Sequence, residues 1–508
     1  MTRSGDLVLT PLRERIACLP EAHNHAVWER LELVAQTLTS WHAVKDRRTV
    51  DPLTAVLDLL VDAGHAEAWL LLAVVGGRLP DAPATEVAAR AAVLDGPAAV
   101  INAALDQIDL ATRPASVRLA VNETLVDLHD AVSTHTITGI QRVAREIARN
   151  WALAHAVTFV AWNEDLSSPR ELRETERRLI LGLSHEADHP LDKTGMTERL
   201  IVPWNATYLI PELAAERQRT SRQLAMARFT ATTVGVIGYD TVPLTCSETC
   251  GEGMPGAFAG YLAAARHYDR IGTISEAAAV EYRGWRTTLR GTGITGPEIQ
   301  SIPLAAEISE PLAGDMAVAR SRLMIGDLPM VLCVGTHEPR KNHLSVLHAA
   351  EILWRKGYQF SLTFIGGHMW NSEDFMRRLR ELQICDRPVE TVSGVDDVML
   401  GAAYRLARFT VFPSFDEGFG LPVAESLACG TPVITSNYGS MREIAEAGGG
   451  ALLVNPRDDH DLAAGMRQLL NDDSTYTRLR LEAAARPSRP WAEYATDLWD
   501  FFVEDPKR

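Results

Sequence analysis

From Val117 onward, short runs dense in β-branched and aromatic residues alternate with longer stretches whose apolar positions recur every three or four residues. LAVNETLVDL leads to GIQRVAREIARNWA, VTFVAW to ELRETERRLILGL, and ERLIVPW to ELAAERQRTSRQLAMARF. TTVGVIGYD then leads to GAFAGYLAAARHY, RIGTIS to EAAAVEYRGW, and IQSIPL closes the series. Strand alternating with helix predicts parallel strands joined by right-handed crossovers, a doubly wound α/β sheet. The Pro- and Gly-containing stretch ISEPLAGDMAV (308–318) breaks the rhythm and is read as a linker. The pattern restarts more cleanly: PMVLCVG, FSLTFIGG, VETVSG, FTVFPS, TPVITS and ALLVNP are each followed by a helical stretch. Two Rossmann-like sheets in tandem leave a cleft between them, and ligands of such sheets sit beyond the carboxyl ends of the strands.

Ahead of this region the chain is rich in Ala and Leu at helical spacing, as in HAVWERLELVAQTL and AEAWLLLAVV, with little β-branched clustering. The expected division is a helical region over 1–115, a Rossmann-like domain over 116–312, a second over 313–485, and a C-terminal helix over 486–508 that packs back on the first. Nothing in the sequence of the helical region says what it does.

The 508 residues agree with about three domains. Lys and Arg number 50 against 66 Asp and Glu, a net charge of −16 that argues against a nucleic-acid partner. The six cysteines are scattered without a CxxC pair and read as reduced thiols of a cytoplasmic protein. The amino-terminal stretch has no signal-peptide core, and the longest apolar run, Ala68 to Val75, falls far short of the ~20 residues that span a bilayer. Any membrane contact is therefore expected to be peripheral. Its candidate is the stretch Glu212 to Arg228, where Arg217, Arg219, Arg222 and Arg228 mark either a membrane-facing basic helix or a solvated face diluted by Glu212 and Glu216.

The chemistry concentrates in FTVFPSFDEGFGLPVAESLACGTPVITS (409–436). It reads as a buried strand, a Gly-hinged loop, a helix starting at Leu421 or Pro422 and ended by Gly430, and a second strand. Free backbone N–H groups at that helix start suit a diphosphate. Glu417 in the loop and Glu425 in the first turn, with seven residues between them, can reach the hydroxyls of a sugar and of a ribose. The bland alternatives are a solvated Glu417 and a Glu425 that complements the helix dipole.

The run EGFGLPVAESLACGTPVI, preceded by FPS, resembles the signature of family 4 glycosyltransferases of the GT-B fold, which transfer sugars from nucleotide-sugar donors with retention of configuration. THEPRKN (336–342) is similar to the family's loop carrying paired Arg and Lys. TGIQRVAREI (138–147) is similar to its N-terminal glycine turn, and GYDTVPL (238–244) and RIGTISEAA resemble its strand-end motifs. The resemblance runs over about 117–503 and implies an acceptor domain followed by a donor domain. It assigns catalysis to Glu417 and Asp240, with Tyr239 beside them, and donor binding to Gly139, Arg340, Lys341, Gly418, Phe419, Gly420, Leu421 and Glu425. It implies a UDP- or GDP-linked sugar as co-substrate, a saccharide or lipid-linked acceptor, and neither metal nor cofactor. Asn342 is expected to cap the following helix. Many family members carry His where this chain has Tyr239, and a phenol with a pKa near 10 is no base at neutral pH. Asp240 is therefore the better group to orient the acceptor.

Other signals carry less. GEGMPG (251–256) fits a dinucleotide fingerprint but follows no strand and contains proline. Cys246 and Cys250 lack a second ligand pair at zinc spacing. His129, Asp130 and His135 lie near the first strand of the first Rossmann-like domain, and His337, His343 and His368 in or beside cleft-facing loops of the second, none at ligand spacing; Asp396–Asp397 and Asp458–Asp459 read as helix starts. Three function classes follow: a retaining glycosyltransferase, a non-catalytic GT-B scaffold for a partner glycosyltransferase, and, on GEGMPG alone, a dinucleotide oxidoreductase.

Overall fold

The computed structural model describes residues 4–42, 51–61, 63–134, 139–183, 199–367 and 369–504. The candidate residues His135 and His368 lie outside the described residues, as does Thr138 at the start of the glycine turn. The strands of the first half are β1 (Ser116–Val121), β2 (Thr124–Asp127), β3 (Thr158–Trp162), β4 (Pro169–Glu171), β5 (Arg199–Trp204), β6 (Thr207–Ile210), β7 (Thr233–Gly238), β8 (Arg270–Thr273) and β9 (Glu298–Ser301). Those of the second half are β10 (Met330–Val334), β11 (Ser361–Ile365), β12 (Val389–Val392), β13 (Phe409–Phe412), β14 (Val433–Ser436) and β15 (Ala451–Val454).

The second sheet runs β12-β11-β10-β13-β14-β15, every pair parallel. The order reverses between β10 and β13, so the loops after these two strands open onto the switch point where such sheets hold ligands. The stretch read as a linker is partly helical: Ala313–Leu323 is a helix, started by Asp315 accepting from the Leu312 amide at 2.9 Å. Ala319 and Leu323 on that helix are buried with Ala402, Ala403 and Tyr404 of helix Asp397–Leu406. The connection without regular structure is 302–312.

The first sheet has nine strands in the order β1-β5-β4-β3-β2-β6-β7-β8-β9. It is parallel except for β4, which runs antiparallel to β3 and to β5, so the expectation of a purely parallel sheet fails at this strand. LAVNETLVDL is also two strands, not one. Asn122, at φ 56°, turns the chain between β1 and β2, and Asn205, at φ 48°, does the same between β5 and β6. The two asparagines face each other: the Asn122 amide donates to the Asn205 carbonyl at 3.2 Å, and the Asn205 side chain donates to Asn122 Oδ1 at 2.6 Å. Asparagine tolerates the left-handed region better than most residues. The matched kinks peel β1 and β5 away together, and the helical region covers them.

That region holds helices Ser4–Ala17, Glu21–Trp41, Pro52–Leu59, His65–Gly76, Ala82–Asp95 and Ala98–Asp106. The apolar run Ala68 to Val75 forms the middle of helix His65–Gly76, and each of its residues is 0 % exposed. Trp69 stacks on Trp204 of β5, ring centroids 6.4 Å apart, in one core that joins the helices to the sheet. Helix Arg217–Phe229 is covered by the same region. Arg222 donates to the Leu79 carbonyl at 3.0 Å, Arg228 pairs with Glu86 at 3.0 Å, and Arg219 is fully buried. Three of its four arginines thus have intramolecular partners. Among the described residues no helix is long and apolar enough to cross one.

Helix Trp491–Trp499 crosses back to the first sheet. Trp151 of helix Gly139–Ala154 donates its indole N–H to the Ala495 carbonyl at 2.8 Å, and Leu498 and Phe502 lie over Gly272 and Gly235, where a Cβ would meet them at 2.9 and 2.8 Å.

Candidate active site

Two loops at the switch point build the site. After β10 the chain turns through Gly335, at φ 145°, and a short 3-10 turn Pro339–Lys341 before helix His343–Arg355. The turn is pinned against its neighbour: the Gly335 amide donates to Ile365 at 2.9 Å, and a Cβ on Gly366 would stand 1.9 Å from the Gly335 carbonyl oxygen. Asn342 does not cap the helix. It sits at φ 58°, and its side chain donates to the carbonyls of Pro413 at 3.2 Å and Pro456 at 2.7 Å, tying together the loops after β13 and β15.

After β13 the loop carries Glu417 toward Arg340 and Lys341. Glu417 Oε2 lies 2.7 Å from Arg340 Nη1 and Oε1 lies 2.5 Å from Lys341 Nζ, while Ser414 donates to Oε1 at 2.7 Å. Burial alone would raise the Glu417 carboxyl, but the two cations outweigh it and bring it down to about 2. Glu417 is therefore an anion able only to accept hydrogen bonds. Arg340 also donates to Glu338 at 2.7 Å and to the Asp416 carbonyl at 2.6 Å. Burial lowers the Lys341 ammonium, and Glu417 only partly offsets it.

Helix Leu421–Ala428 begins after Gly420, which is at φ 101°, with Pro422 in its first turn. Glu425 is buried. Its Oε1 accepts from Arg142 Nη1 at 2.8 Å and its Oε2 from the Tyr404 hydroxyl at 2.8 Å. Burial raises its carboxyl against the opposing pull of Arg142. Arg142 belongs to helix Gly139–Ala154 of the first domain, so this ion pair crosses the cleft.

Further bonds cross with it. Ser275, after β8, donates to the Gly418 carbonyl at 2.5 Å. The Glu443 carboxylate accepts from the Glu276 and Ala277 amides at 3.0 and 2.9 Å, so a residue of the second domain caps a helix of the first. Thr245 donates to Asp416 at 2.7 Å and Trp370 to the Thr249 carbonyl at 2.8 Å. A Cβ on Gly139 would stand 3.6 Å from Leu421, at the edge of the same seam. The cleft is closed, with its strand-end loops in contact.

Most of the residues selected from sequence converge here: Glu417, Gly418, Phe419, Gly420, Leu421, Glu425, Arg340, Lys341, Gly139 and Asp240. Asp240 follows β7 and accepts from the Val242 amide at 3.1 Å; burial raises its carboxyl, opposed by Arg340. Tyr239 is different. Its hydroxyl donates to the Pro211 carbonyl at 2.6 Å inside the first domain, and only its backbone carbonyl faces the cleft, so its phenol is engaged in packing. Sequence reasoning passed over Arg142, Glu443 and Tyr404 as site residues, while Ser275 stood in the motif RIGTISEAA without an assigned role. For Arg142 the available signal was its position, a turn after Gly139 on a cleft-facing helix.

The weaker candidates sort into structure. His129 and Asp130 flank a buried network in which Arg219 lies 3.0 Å from Asp127 and 3.5 Å from Asp130, and Glu212 accepts from the Asp130 and Ala131 amides at 2.7 and 2.5 Å. His337 contacts Thr391 at 3.3 Å, and His343 packs beside Phe364 and Phe375. Asp396 and Asp458 cap their helices. GEGMPG follows a 3-10 turn, not a strand, and its Gly253 starts helix Met254–Ala265. Among the described residues no group of three or more His, Cys, Asp and Glu is arranged to hold a metal.

Comparison with known proteins places this geometry. Residues 319–486 match the family model of glycosyl transferases group 1. The chain is 28% identical over 365 residues to the serotype-specific mannosyltransferase WbdA of Escherichia coli, covering 67% of this chain and 42% of WbdA. It is 36% identical over 144 residues to the O-antigen chain mannosyltransferase B of the same organism, covering 28% of this chain and 37% of the relative. The chain thus spans about two fifths of the length of the first curated relatives it matches. Among solved structures, Anabaena HepE in complex with UDP and glucose aligns with a TM-score of 0.54 at 12% identity, covering 75% of this chain and 99% of HepE. The sucrose-phosphate synthase of Thermosynechococcus elongatus aligns with a TM-score of 0.51 at 18% identity, covering 76% and 99%. The fold is GT-B: two Rossmann-like domains across a cleft, here with a helical region in front.

Proposed function

We propose that this chain is a retaining, metal-independent glycosyltransferase. It moves a hexose from a UDP- or GDP-linked donor to a saccharide or glycolipid acceptor in the synthesis of a surface polysaccharide, on the cytoplasmic side of the membrane. The observation that carries this reading is the joint approach of Arg340 and Lys341 to Glu417 at the switch point of the second sheet. The match of residues 319–486 to glycosyl transferases group 1 supports it, as does the likeness to a serotype-specific mannosyltransferase and to an O-antigen chain mannosyltransferase.

On this reading the diphosphate lies over the start of helix Leu421–Ala428, between its free amides and the two cations. Arg340 and Lys341 balance the charge that grows on the diphosphate as the bond from the sugar C1 to its oxygen breaks. The acceptor oxygen bonds to C1 on the same face, and its proton passes to the departing diphosphate oxygen. Glu417, ionised throughout the neutral range, accepts from the sugar hydroxyls. Glu425 accepts from the ribose, and Asp240 orients the acceptor from across the cleft. Cleft closure excludes water, which favours transfer over hydrolysis.

A panel of nucleotide sugars, scored for saturable binding and for slow hydrolysis without acceptor, tests the proposal and identifies the donor. Binding with turnover, lost in Lys341→Ala, is the expected result. Absence of binding to every member overturns it, and binding without turnover points to the scaffold role.

A further inference from the structure

The Arg142–Glu425 pair gives the site a property beyond the role of either residue. Each oxygen of Glu425 already accepts one hydrogen bond, and its side chain is only 5% exposed. With so little of the carboxylate open, a ribose offering two adjacent hydroxyls needs one of these partners to move aside. The two partners differ in how they can leave. Tyr404 is 0% exposed in helix Asp397–Leu406 and belongs to the same domain as Glu425, so it moves with it. Arg142 comes from the other side of the cleft, and its second nitrogen donates to the Glu307 carbonyl at 3.3 Å, in the segment that connects the domains.

Building on the reading of Glu425 as the ribose carboxylate, we propose that Arg142 is a resident competitor of the donor's ribose. It fills Glu425 while the site is empty of nucleotide and must be displaced before the ribose enters. The displaced fraction then divides the intrinsic dissociation constant: a ligand that binds only the displaced state loses apparent affinity in proportion to how rarely that state is populated. The same contact makes donor entry a signal to the first domain, because the released guanidinium takes with it one of the bonds that hold the cleft shut. Arg142 is a positioning residue in this account, acting through Glu425.

The test compares UDP and GDP with their 2′,3′-dideoxy counterparts, by calorimetric titration of the full chain, in the wild type, Arg142→Met and Arg142→Lys. The readout is the factor by which the ribose hydroxyls tighten binding. Loss of fold would not raise this ratio, and a phosphate contact by Arg142 would change both ligands alike and cancel from it. With Arg142 as competitor, the hydroxyls are worth about tenfold more in Arg142→Met than in the wild type, with Arg142→Lys in between. Should Arg142→Met fail to melt cooperatively, the gain in Arg142→Lys decides. An unchanged or smaller ratio overturns the competitor role alone. Failure of every form, wild type included, to bind either diphosphate overturns the proposed function and this inference with it.

Discussion

Gly418 and Tyr239 meet backbone to backbone across the cleft: a Cβ built on Gly418 would stand 2.2 Å from the Tyr239 carbonyl oxygen. No side-chain rearrangement relieves such a contact, so only parting of the domains can. Gly418→Ala is expected to hold the cleft ajar. Turnover should fall by about a hundredfold, as misplacement of reacting groups by an ångström does, while nucleotide affinity stays within about threefold. Steady-state kinetics and small-angle scattering together check it; full activity with an unchanged radius of gyration would refute it.

Glu417 gives a pH prediction. Its folded-state value of about 2 lies below the ordinary ~4.3 of a free glutamate, so its stabilisation is complete above that ordinary value and disappears as pH falls toward 2. The shift corresponds to about 3 kcal/mol. Glu417→Gln, which leaves Arg340 and Lys341 without their shared anion, should lose about that much at pH 7 and progressively less between pH 4 and 2. Denaturant unfolding of both proteins across that range measures the convergence.

Asp130 behaves in the opposite sense. Burial, only partly countered by Arg219, raises its carboxyl to about 6. A value above the unfolded ~3.9 adds stability below that pH and withdraws it as pH rises through 6. Asp130→Asn should therefore be stabilising at pH 8 and change little at pH 4. A variant less stable than the wild type at pH 8 would contradict the assignment.

The paired kink of Asn122 and Asn205 predicts a difference between two small substitutions. Asn122→Ala loses the 2.6 Å side-chain bond and forces a Cβ-bearing residue without a polar tip into φ 56°. It should cost about 2 kcal/mol, whereas Asn122→Gly, free to adopt that backbone, should cost about half as much. Equal losses in thermal unfolding would mean that the hydrogen bond, not the backbone, carries the kink.

The second domain was largely legible because each of its strands is followed directly by its own crossover helix, so hydrophobic period and chain order report the same sheet. The first domain was not. Only Asn122 and Glu123 separate Val121 from Thr124, and so short a polar break does not distinguish one strand from two strands bent at a left-handed residue. TYLI (β6) was hidden for a related reason, since it follows RLIVPW after only Asn205 and Ala206, and PRE (β4) is too short to have a period. In the site, Glu417, Arg340 and Lys341 were readable because they follow strands whose ends define the cleft. Arg142 and Glu443 acquire their partners only when the two domains dock, a relationship no spacing rule encodes. Tyr239 entered the candidate list only through the resemblance of GYDTVPL to a strand-end motif, and no local signal shows that its phenol turns inward to the Pro211 carbonyl.

The helix around Trp69 has a consequence for how the protein is made. It is sealed on every side, yet its partner Trp204 comes far later in the chain. At about 5–20 residues per second, a ribosome delivers that partner many seconds after Ala68 to Val75 has emerged. Over that interval helices Glu21–Trp41, Ala82–Asp95 and Ala98–Asp106 can cover part of this stretch, while the side that meets β5 stays open, so newly made protein should depend on holdase protection until β5 has been made.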